Sequence, residues 1–207
     1  MVGKDELGVG LLDAAVELMG RSSGRGTFQV RGESMTPTLT PGSLVAVDFS
    51  QTSLRRGDIL VFRQVDYLTV HRLLGRARFP DGSPCLRTRG DGRTRLDPPL
   101  DRSRVHGRVF AVLRDEVWRE MRSGRARLYA TALAFHDLVW AAAGVLAARI
   151  DRRVGREGSP GSLERAAGAV DRMLLGLFHR VLFPWFHPRI AAPEGLEEAP
   201  GQGGRSS

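Results

Sequence analysis

Hydrophobic and polar residues follow two different periods along the chain. Apolar side chains recur at helical spacing between residues 5 and 20, which predicts a short helix, and a glycine-rich stretch over residues 20–26 ends it. From residue 27 to residue 113 the pattern changes to short apolar runs separated by Gly, Pro and Asp, which is typical of strands and tight turns. The predicted strands are residues 27–30, 44–47, 59–63, 67–74, 85–89 and 105–113.

These predicted strands have the character of an antiparallel sheet. Residues 44–47 and 59–62 are almost continuously apolar, as expected of strands that are covered on both faces. Asp81-Gly82 lies between two of the runs and predicts a hairpin turn. We therefore predict a mainly β domain over residues 25–113, an antiparallel barrel or sandwich rather than a βαβ fold.

Helical patterns replace the strands after Leu113. Residues 114–153 are arginine-rich in their first half and more apolar from residue 128 to residue 150, and a second helical stretch covers residues 163–187. Residues 155–162 have the composition of a linker, and the tail has that of a disordered segment. The predicted organisation is an N-terminal helix and linker over residues 1–24, the β domain over 25–113, a helical region over 114–190 and the tail over 191–207.

The apolar half of this helical region has about the length of a membrane span. His136 and Asp137 lie at its centre, and a charge at that depth costs roughly 2.5–3.5 kcal/mol. A helix that lies on a membrane or packs on the β domain is the preferred interpretation, with a span as the alternative. Further on, aromatic residues and arginines interleave as in interfacial segments, although a second hydrophobic core fits the same residues: Arg172, Phe178, Arg180, Phe183, Trp185, Phe186 and Arg189.

The composition narrows the partners of the chain. It carries 31 basic and 23 acidic residues, a net charge of +8, which favours an anionic neighbour such as a membrane surface. No nucleic-acid-binding motif accompanies the arginines, so no nucleic acid is expected. Cys85 is the only cysteine, so no disulfide, metal or cofactor is indicated. Acidic residues near the N-terminus argue against a cleavable signal peptide, and we expect a membrane-associated or cytoplasmic protein.

The candidate chemistry centres on Ser34, in the turn-forming sequence Gly32-Glu33-Ser34-Met35-Thr36-Pro37-Thr38-Leu39. A proline at this point fixes the backbone and can hold one hydroxyl rigidly. A serine hydroxyl is a weak nucleophile at neutral pH unless a nearby base removes its proton. The only lysine of the chain is Lys4, so His71 is the candidate base.

Four sequence boxes occur in a fixed order. They are the Ser34 turn, then Arg56-Gly57-Asp58-Ile59-Leu60-Val61-Phe62, then His71-Arg72, and last Arg87-Thr88-Arg89-Gly90-Asp91-Gly92 with Asp97 six residues after Asp91. This order resembles the type I signal peptidases and related serine peptidases over residues 28–112. The His-Arg pair is similar to the archaeal and endoplasmic-reticulum branch, in which histidine replaces the usual lysine. The resemblance implies a catalytic site of Ser34, His71, Asp97 and Asp91. In it Asp97 orients the imidazole and Asp91 supports the turn, although which acid contacts the histidine stays open.

A serine–histidine pair of this kind can hydrolyse a peptide bond. His71 would accept the proton of Ser34 as the hydroxyl attacks a carbonyl, and would then donate it to the leaving amine. A carboxylate on the other ring nitrogen would fix the imidazole tautomer. The backbone N–H of Ser34 is the first candidate donor to the oxyanion. Relatives often carry a serine two positions before the nucleophile as a second donor, whereas this chain has Gly32.

The predicted function is a serine endopeptidase that removes leader or signal segments. The resemblance implies a peptide or preprotein substrate bound as an added strand. An inactive peptide-binding or membrane-associated scaffolding module of the same fold is the alternative. Self-cleaving repressors share the fold, but they use lysine, and the 33 residues before Ser34 are expected to be too few for a DNA-binding domain.

Overall fold

The computed structural model of the chain describes residues 24–50, 53–64, 67–93, 95–153, 173, 175–177, 179–193 and 197–198. The helix predicted over residues 5–20, the linker at 155–162 and most of the predicted tail lie outside the described residues. The strands are β1 (Arg25–Gln29), β2 (Leu44–Asp48), β3 (Ile59–Gln64), β4 (Tyr67–Arg78), β5 (Pro84–Arg89), β6 (Val105–Arg114), β7 (Val117–Glu120) and β8 (Glu197–Glu198). A 3-10 turn covers Arg102–Arg104, and the long helix α1 covers Gly124–Arg153.

The strands form one sheet with the order β5-β4-β3-β6-β2-β1-β8, and β7 pairs with β6. All pairs are antiparallel except the short one between β1 and β8. The six predicted strands correspond to β1–β6, and the mainly antiparallel β fold is confirmed. In the part of the chain that the structure describes, the sheet is not closed, because the order does not return to its first strand.

The hairpin predicted at Asp81-Gly82 joins β4 to β5. Gly82 has a φ of 86°, a conformation that glycine adopts at little cost. The Asp81 carboxylate accepts hydrogen bonds from the backbone N–H and the hydroxyl of Ser83 at 2.9 and 2.7 Å. This turn sets the register of β5 against β4, and with it the position of the residues that follow β5.

The helical region begins later than the sequence pattern predicted. The expectation that strands stop after Leu113 is wrong, since β6 runs on to Arg114 and β7 follows it before α1 begins at Gly124. Asp115 and Glu116 form the turn between β6 and β7, with φ values of 51° and 61°. Two positive φ values suit the twist of a hairpin, but they are normally supplied by Asn or Gly. The sequence pattern did not predict this turn, because Asp115 and Glu116 stand where Asn or Gly is usual.

Strand β3 lies between β4 and β6 and is covered on both faces, as its apolar sequence predicted. Successive strand residues point to opposite faces. Ile59 and Val61 belong to one hydrophobic cluster, whereas Leu60 and Phe62 belong to another. The first cluster also holds Met35, Leu39, Val45, Val47, Val109, Val112, Tyr129, Leu133, Leu175 and Phe183, and the second holds Leu54, Leu73, Leu86 and Leu100.

Helix α1 packs directly on the turn before β3. Gly57 has a φ of 89°, and a Cβ atom there would lie 2.7 Å from the backbone carbonyl carbon of Ala130. This position therefore requires glycine for two reasons, its conformation and its contact with the helix. Among the described residues, no helix combines the length and the apolar character that crossing a bilayer requires.

Two buried histidines pack against Phe183 in the C-terminal helical residues, with their rings tilted by 39° and 36° to the phenylalanine ring. The ring of Phe183 lies 4.3 Å from that of His179 and 4.2 Å from that of His187, centroid to centroid. His179 Nδ1 is 2.8 Å from the Tyr129 hydroxyl, and His187 Nδ1 donates to the Glu120 carbonyl at 3.0 Å. Burial lowers the pKa of His179 to about 3 and that of His187 to about 4.

We expect these two histidines to make the fold sensitive to mild acid. Both imidazoles stay neutral in the folded chain at pH 5, whereas in the unfolded chain they bind protons below the ordinary value of 6.5. Their stabilising contribution is therefore full above pH 6.5 and is lost as the pH falls towards 4. Linkage gives a loss of about 2 kcal/mol for each histidine at pH 5.

Urea denaturation at pH 7 and pH 5 checks this effect. The matched variant is His179→Asn with His187→Asn, in which an amide replaces the hydrogen-bonded Nδ1 of each ring. The free energy of unfolding should fall by about 4 kcal/mol more in the wild type than in the double variant. An equal fall in both proteins would contradict the assignment.

Candidate active site

The turn that carries Ser34 is held from two sides. Met35 and Leu39 are buried in the first hydrophobic cluster, and the Leu39 N–H donates to the Met35 carbonyl at 2.9 Å. On the other side, the N–H of Gly92 donates to the Ser34 carbonyl at 2.9 Å. The backbone of Ser34 is therefore fixed between the hydrophobic core and the loop that follows β5.

A chain of hydrogen bonds joins Ser34, His71 and Asp97. The Ser34 hydroxyl oxygen lies 2.9 Å from His71 Nε2, and His71 Nδ1 lies 2.7 Å from Asp97 Oδ2. Thr88 donates its hydroxyl to the same carboxylate oxygen at 2.8 Å, and the Asp97 N–H donates to the Thr88 carbonyl at 3.0 Å. The imidazole is buried, and the Asp97 side chain is 8% exposed. With Nδ1–H directed to the carboxylate, Nε2 is free to accept the serine proton.

The register of β4 places His71 and Arg72 on opposite faces of the sheet. His71 pairs with Leu60 and Arg72 pairs with Ile59, and these two partners belong to different hydrophobic clusters. The histidine therefore shares its face with Leu60, whereas the arginine lies on the face that meets α1. His71 and Arg72, although adjacent, therefore belong to two separate hydrogen-bond networks.

The structure places Asp91 in the arginine network and not beside His71. Arg72 donates to both Asp91 oxygens, from Nε at 2.9 Å and from Nη2 at 2.6 Å. Thr38 also donates its hydroxyl to Asp91, and Arg72 Nη1 donates to the Gly57 carbonyl at 3.0 Å. Burial alone would raise the pKa of Asp91, but the charge and hydrogen bonds of Arg72 outweigh it and hold this pKa below its ordinary value. Asp91 and Arg72 together connect three segments. These are the Ser34 turn, through Thr38, the Gly57 turn and the loop after β5.

Gly90 packs against the serine–histidine pair. A Cβ atom at this position would lie 2.3 Å from the Ser34 carbonyl oxygen and 2.9 Å from His71 Nε2. By contrast, nothing lies within 4 Å of a Cβ atom at Gly32. The loop after β5 can reach the site only because residue 90 has no side chain.

A buried ion pair joins the end of β5, just before this loop, to α1. Arg89 Nη2 donates to the Asp137 carboxylate at 2.8 Å, and Arg89 Nη1 donates to the Asp137 carbonyl at 3.0 Å. Both side chains are almost completely buried, and burial raises the pKa of Asp137. Asp137 therefore faces the sheet, and its partner Arg89 directly precedes Gly90, the glycine that packs against the site.

Four of the residues around the site were not assigned roles by the sequence. Thr88 could have been found from strand alternation, because it lies two residues after Leu86 on the face that holds His71. Gly90, Arg89 and Asp137 act through contacts between distant segments, for which the sequence carried no signal. In the part of the chain that the structure describes, no group of three His, Cys, Asp or Glu side chains is placed to hold a metal ion.

Comparison with protein families gives a match to part of the chain. Residues 10–78 match the model of the Peptidase S24-like family, which belongs to the superfamily of signal peptidases and self-cleaving repressors. The match covers a third of the chain and includes Ser34 and His71, but it ends before Asp91 and Asp97. No curated protein matches the chain. At the level of class, the match indicates a serine peptidase or self-cleaving fold; the resemblance to the signal peptidases stays a prediction.

Proposed function

We propose that the chain is a serine endopeptidase in which Ser34 is the nucleophile, His71 the general base and Asp97 the residue that orients it. The observation that carries this proposal is the hydrogen-bonded chain from Ser34 through His71 to Asp97, with distances of 2.9 and 2.7 Å. A base within hydrogen-bond reach of a serine, itself oriented by a third group, is the arrangement that activates such a nucleophile.

The reaction proceeds through an acyl-enzyme. Ser34 Oγ bonds to the carbonyl carbon of the scissile peptide while its proton passes to His71 Nε2. The proton then passes to the amine nitrogen as the carbon–nitrogen bond breaks, which leaves the acyl group on Ser34. A water molecule gives a proton to the same Nε2, attacks the ester and releases the acid, and the serine regains its proton. Asp97 stabilises the imidazolium that forms in each half of the reaction.

We propose that the backbone N–H of Ser34 donates a hydrogen bond to the oxyanion. A glycine two positions before the nucleophile supplies no hydroxyl, so this chain has no side-chain donor at the position where relatives often have one. The proposed substrate is the leader or signal segment of a protein or peptide, bound as an extended strand. This substrate class rests on the resemblance of the four sequence boxes to the signal peptidases.

Labelling with a fluorophosphonate tests the proposal. The full chain is treated with the probe beside Ser34→Ala and the matched variant Ser83→Ala, which removes a hydroxyl from the exposed β4–β5 hairpin. A label that mass spectrometry locates on Ser34, and that only Ser34→Ala abolishes, is the expected result. A folded wild type that takes no label would overturn the proposal in favour of the inactive module. Intact mass without added substrate shows in parallel whether the chain cleaves itself.

Substituting Gly90 should damage the site without removing any of its functional groups. In Gly90→Ala the new methyl must displace the Ser34 carbonyl, the His71 ring or both. A misplacement of this kind costs about a hundredfold in rate. The second-order rate of labelling measures it, with Gly32→Ala as the matched control because that methyl enters open space. Equal rates for the two variants would show that the loop yields without moving the pair.

A further inference from the structure

The outward side of α1 is apolar. The buried residues Ala126, Tyr129, Leu133 and Asp137 follow one another at helical spacing along its inner side. With about 3.6 residues per turn, Leu128, Phe135, Val139 and Leu146 fall on the opposite side, and each of them is more than half exposed. A surface helix normally carries polar residues there.

The C-terminal helical residues repeat this arrangement. Leu175, His179 and Phe183 are buried at four-residue intervals on their inner side. The outward residues Met173, Leu177, Val181 and Trp185 also follow at intervals of four, and all are more than half exposed. We call these four residues, together with Leu128, Phe135, Val139 and Leu146 of α1, the outer helical face. Rows of exposed apolar residues on two segments, rather than single scattered residues, are typical of interaction sites.

The segments that carry the outer helical face are rich in positive charge. Residues 124–153 hold five arginines and two acidic residues, Asp137 and Asp151, and residues 173–190 hold two arginines and no acidic residue. Asp137 is buried against Arg89. The arginines Arg125, Arg149, Arg180 and Arg189 are exposed, and the guanidinium of Arg56 lies over the Phe135 ring at 5.7 Å.

We propose that the outer helical face docks on the surface of an anionic lipid bilayer, with α1 lying along the membrane rather than across it. Apolar side chains with an exposed tryptophan enter the boundary between headgroups and acyl chains, and arginines pair with lipid phosphates. A second copy of the chain is a poorer occupant, because a symmetric contact would bring together two surfaces that are both rich in arginine. This inference does not depend on the activity of Ser34.

Vesicle sedimentation of the full chain tests the proposal. Binding to mixed phosphatidylcholine–phosphatidylglycerol vesicles is compared with binding to phosphatidylcholine alone, at physiological ionic strength and in high salt. The variants are Val139→Glu and Leu177→Glu, whose residues are 60% and 61% exposed, and the matched control is Tyr67→Glu, on β4 and also 60% exposed. Each helical variant should reduce partitioning into the anionic vesicles about tenfold or more, since a charge replaces buried apolar area. The Tyr67 variant should bind as the wild type does.

Several results would overturn the proposal. They are wild-type binding that is absent, binding that is equal on neutral and anionic vesicles, and helical variants that bind like the control. Sedimentation velocity without lipid adds another, because a wild-type dimer that the two helical variants dissociate would assign the face to a second copy. Far-ultraviolet circular dichroism shows that each variant is folded. Ser34→Ala should bind vesicles normally, so that failure of the peptidase proposal and failure of this one are distinguished.

Discussion

Replacing His71 by alanine is expected to reduce the labelling rate of Ser34 by about a millionfold, because residues that act as a catalytic unit lose most of their effect when one is removed. His71 Nε2 lies 2.9 Å from the hydroxyl that it would deprotonate, and without it the proton must leave to solvent. The comparison variant is His136→Ala, whose ring is 33% exposed on α1 and does not contact Ser34; because its Nδ1 lies 3.4 Å from Asp137 Oδ1, only a small loss of rate is expected. A fluorophosphonate time course measures both rates, and similar rates would remove His71 from the mechanism.

Lysine at the same position is not expected to restore labelling, although related peptidases use lysine as the base. Its ammonium would lie beside the Asp97 carboxylate, which contacts the imidazole at 2.7 Å in the wild type. A neighbouring negative charge favours the protonated amine, and a protonated amine accepts no proton from serine. Recovery of labelling in His71→Lys would show that this carboxylate does not control the base.

Asp97→Asn has the second largest expected effect, a loss of about ten-thousandfold in the labelling rate. The carboxylate accepts from both His71 Nδ1 and the Thr88 hydroxyl. If an amide instead directs its N–H₂ to Nδ1, the ring proton moves to Nε2, which then no longer accepts from Ser34. The rate loss should therefore occur with little change in the stability of the fold.

Asp101→Asn is the control for this substitution. Asp101 lies four residues further along, and its carboxylate accepts hydrogen bonds from the N–H and the hydroxyl of Ser103, both at 2.7 Å. Its variant should label at the wild-type rate, and thermal unfolding should show both variants to be folded. A normal rate in Asp97→Asn would mean that the imidazole needs no carboxylate to orient it.

Most of the sheet could be predicted from the sequence because its strands are short, apolar and bounded by turn residues. The exceptions are informative. Strand β7 was missed because Asp115 and Glu116 occupy positions with positive φ that the pattern of turn residues does not announce. The pairing of β8 with β1 links residues far apart in the chain, and no local signal marks such a pair.

The sequence indicated candidate residues for the site, but not how they are arranged. Asp91 and Asp97 both lie in turn-rich sequence, and nothing local distinguishes them. The distinction arises from the alternation of β4, which directs Arg72 away from His71 and gives Asp91 a partner on the other face. The role of Gly90 depends on the approach of two loops, which only the folded chain reveals.

The contacts of α1 have a consequence for how this chain can change over time. Its inner side rests on Gly57 and binds Arg89, and residues 188–190 bond to β7 through Glu120 and Trp118. Contacts therefore cross the boundary predicted at residue 113. Substitutions on the inner side of α1 disturb the loop beside Ser34, whereas those on its outer side leave that loop intact. The outer residues of α1 can therefore change without altering the candidate site, whereas changes at its inner residues alter the position of the loop beside Ser34.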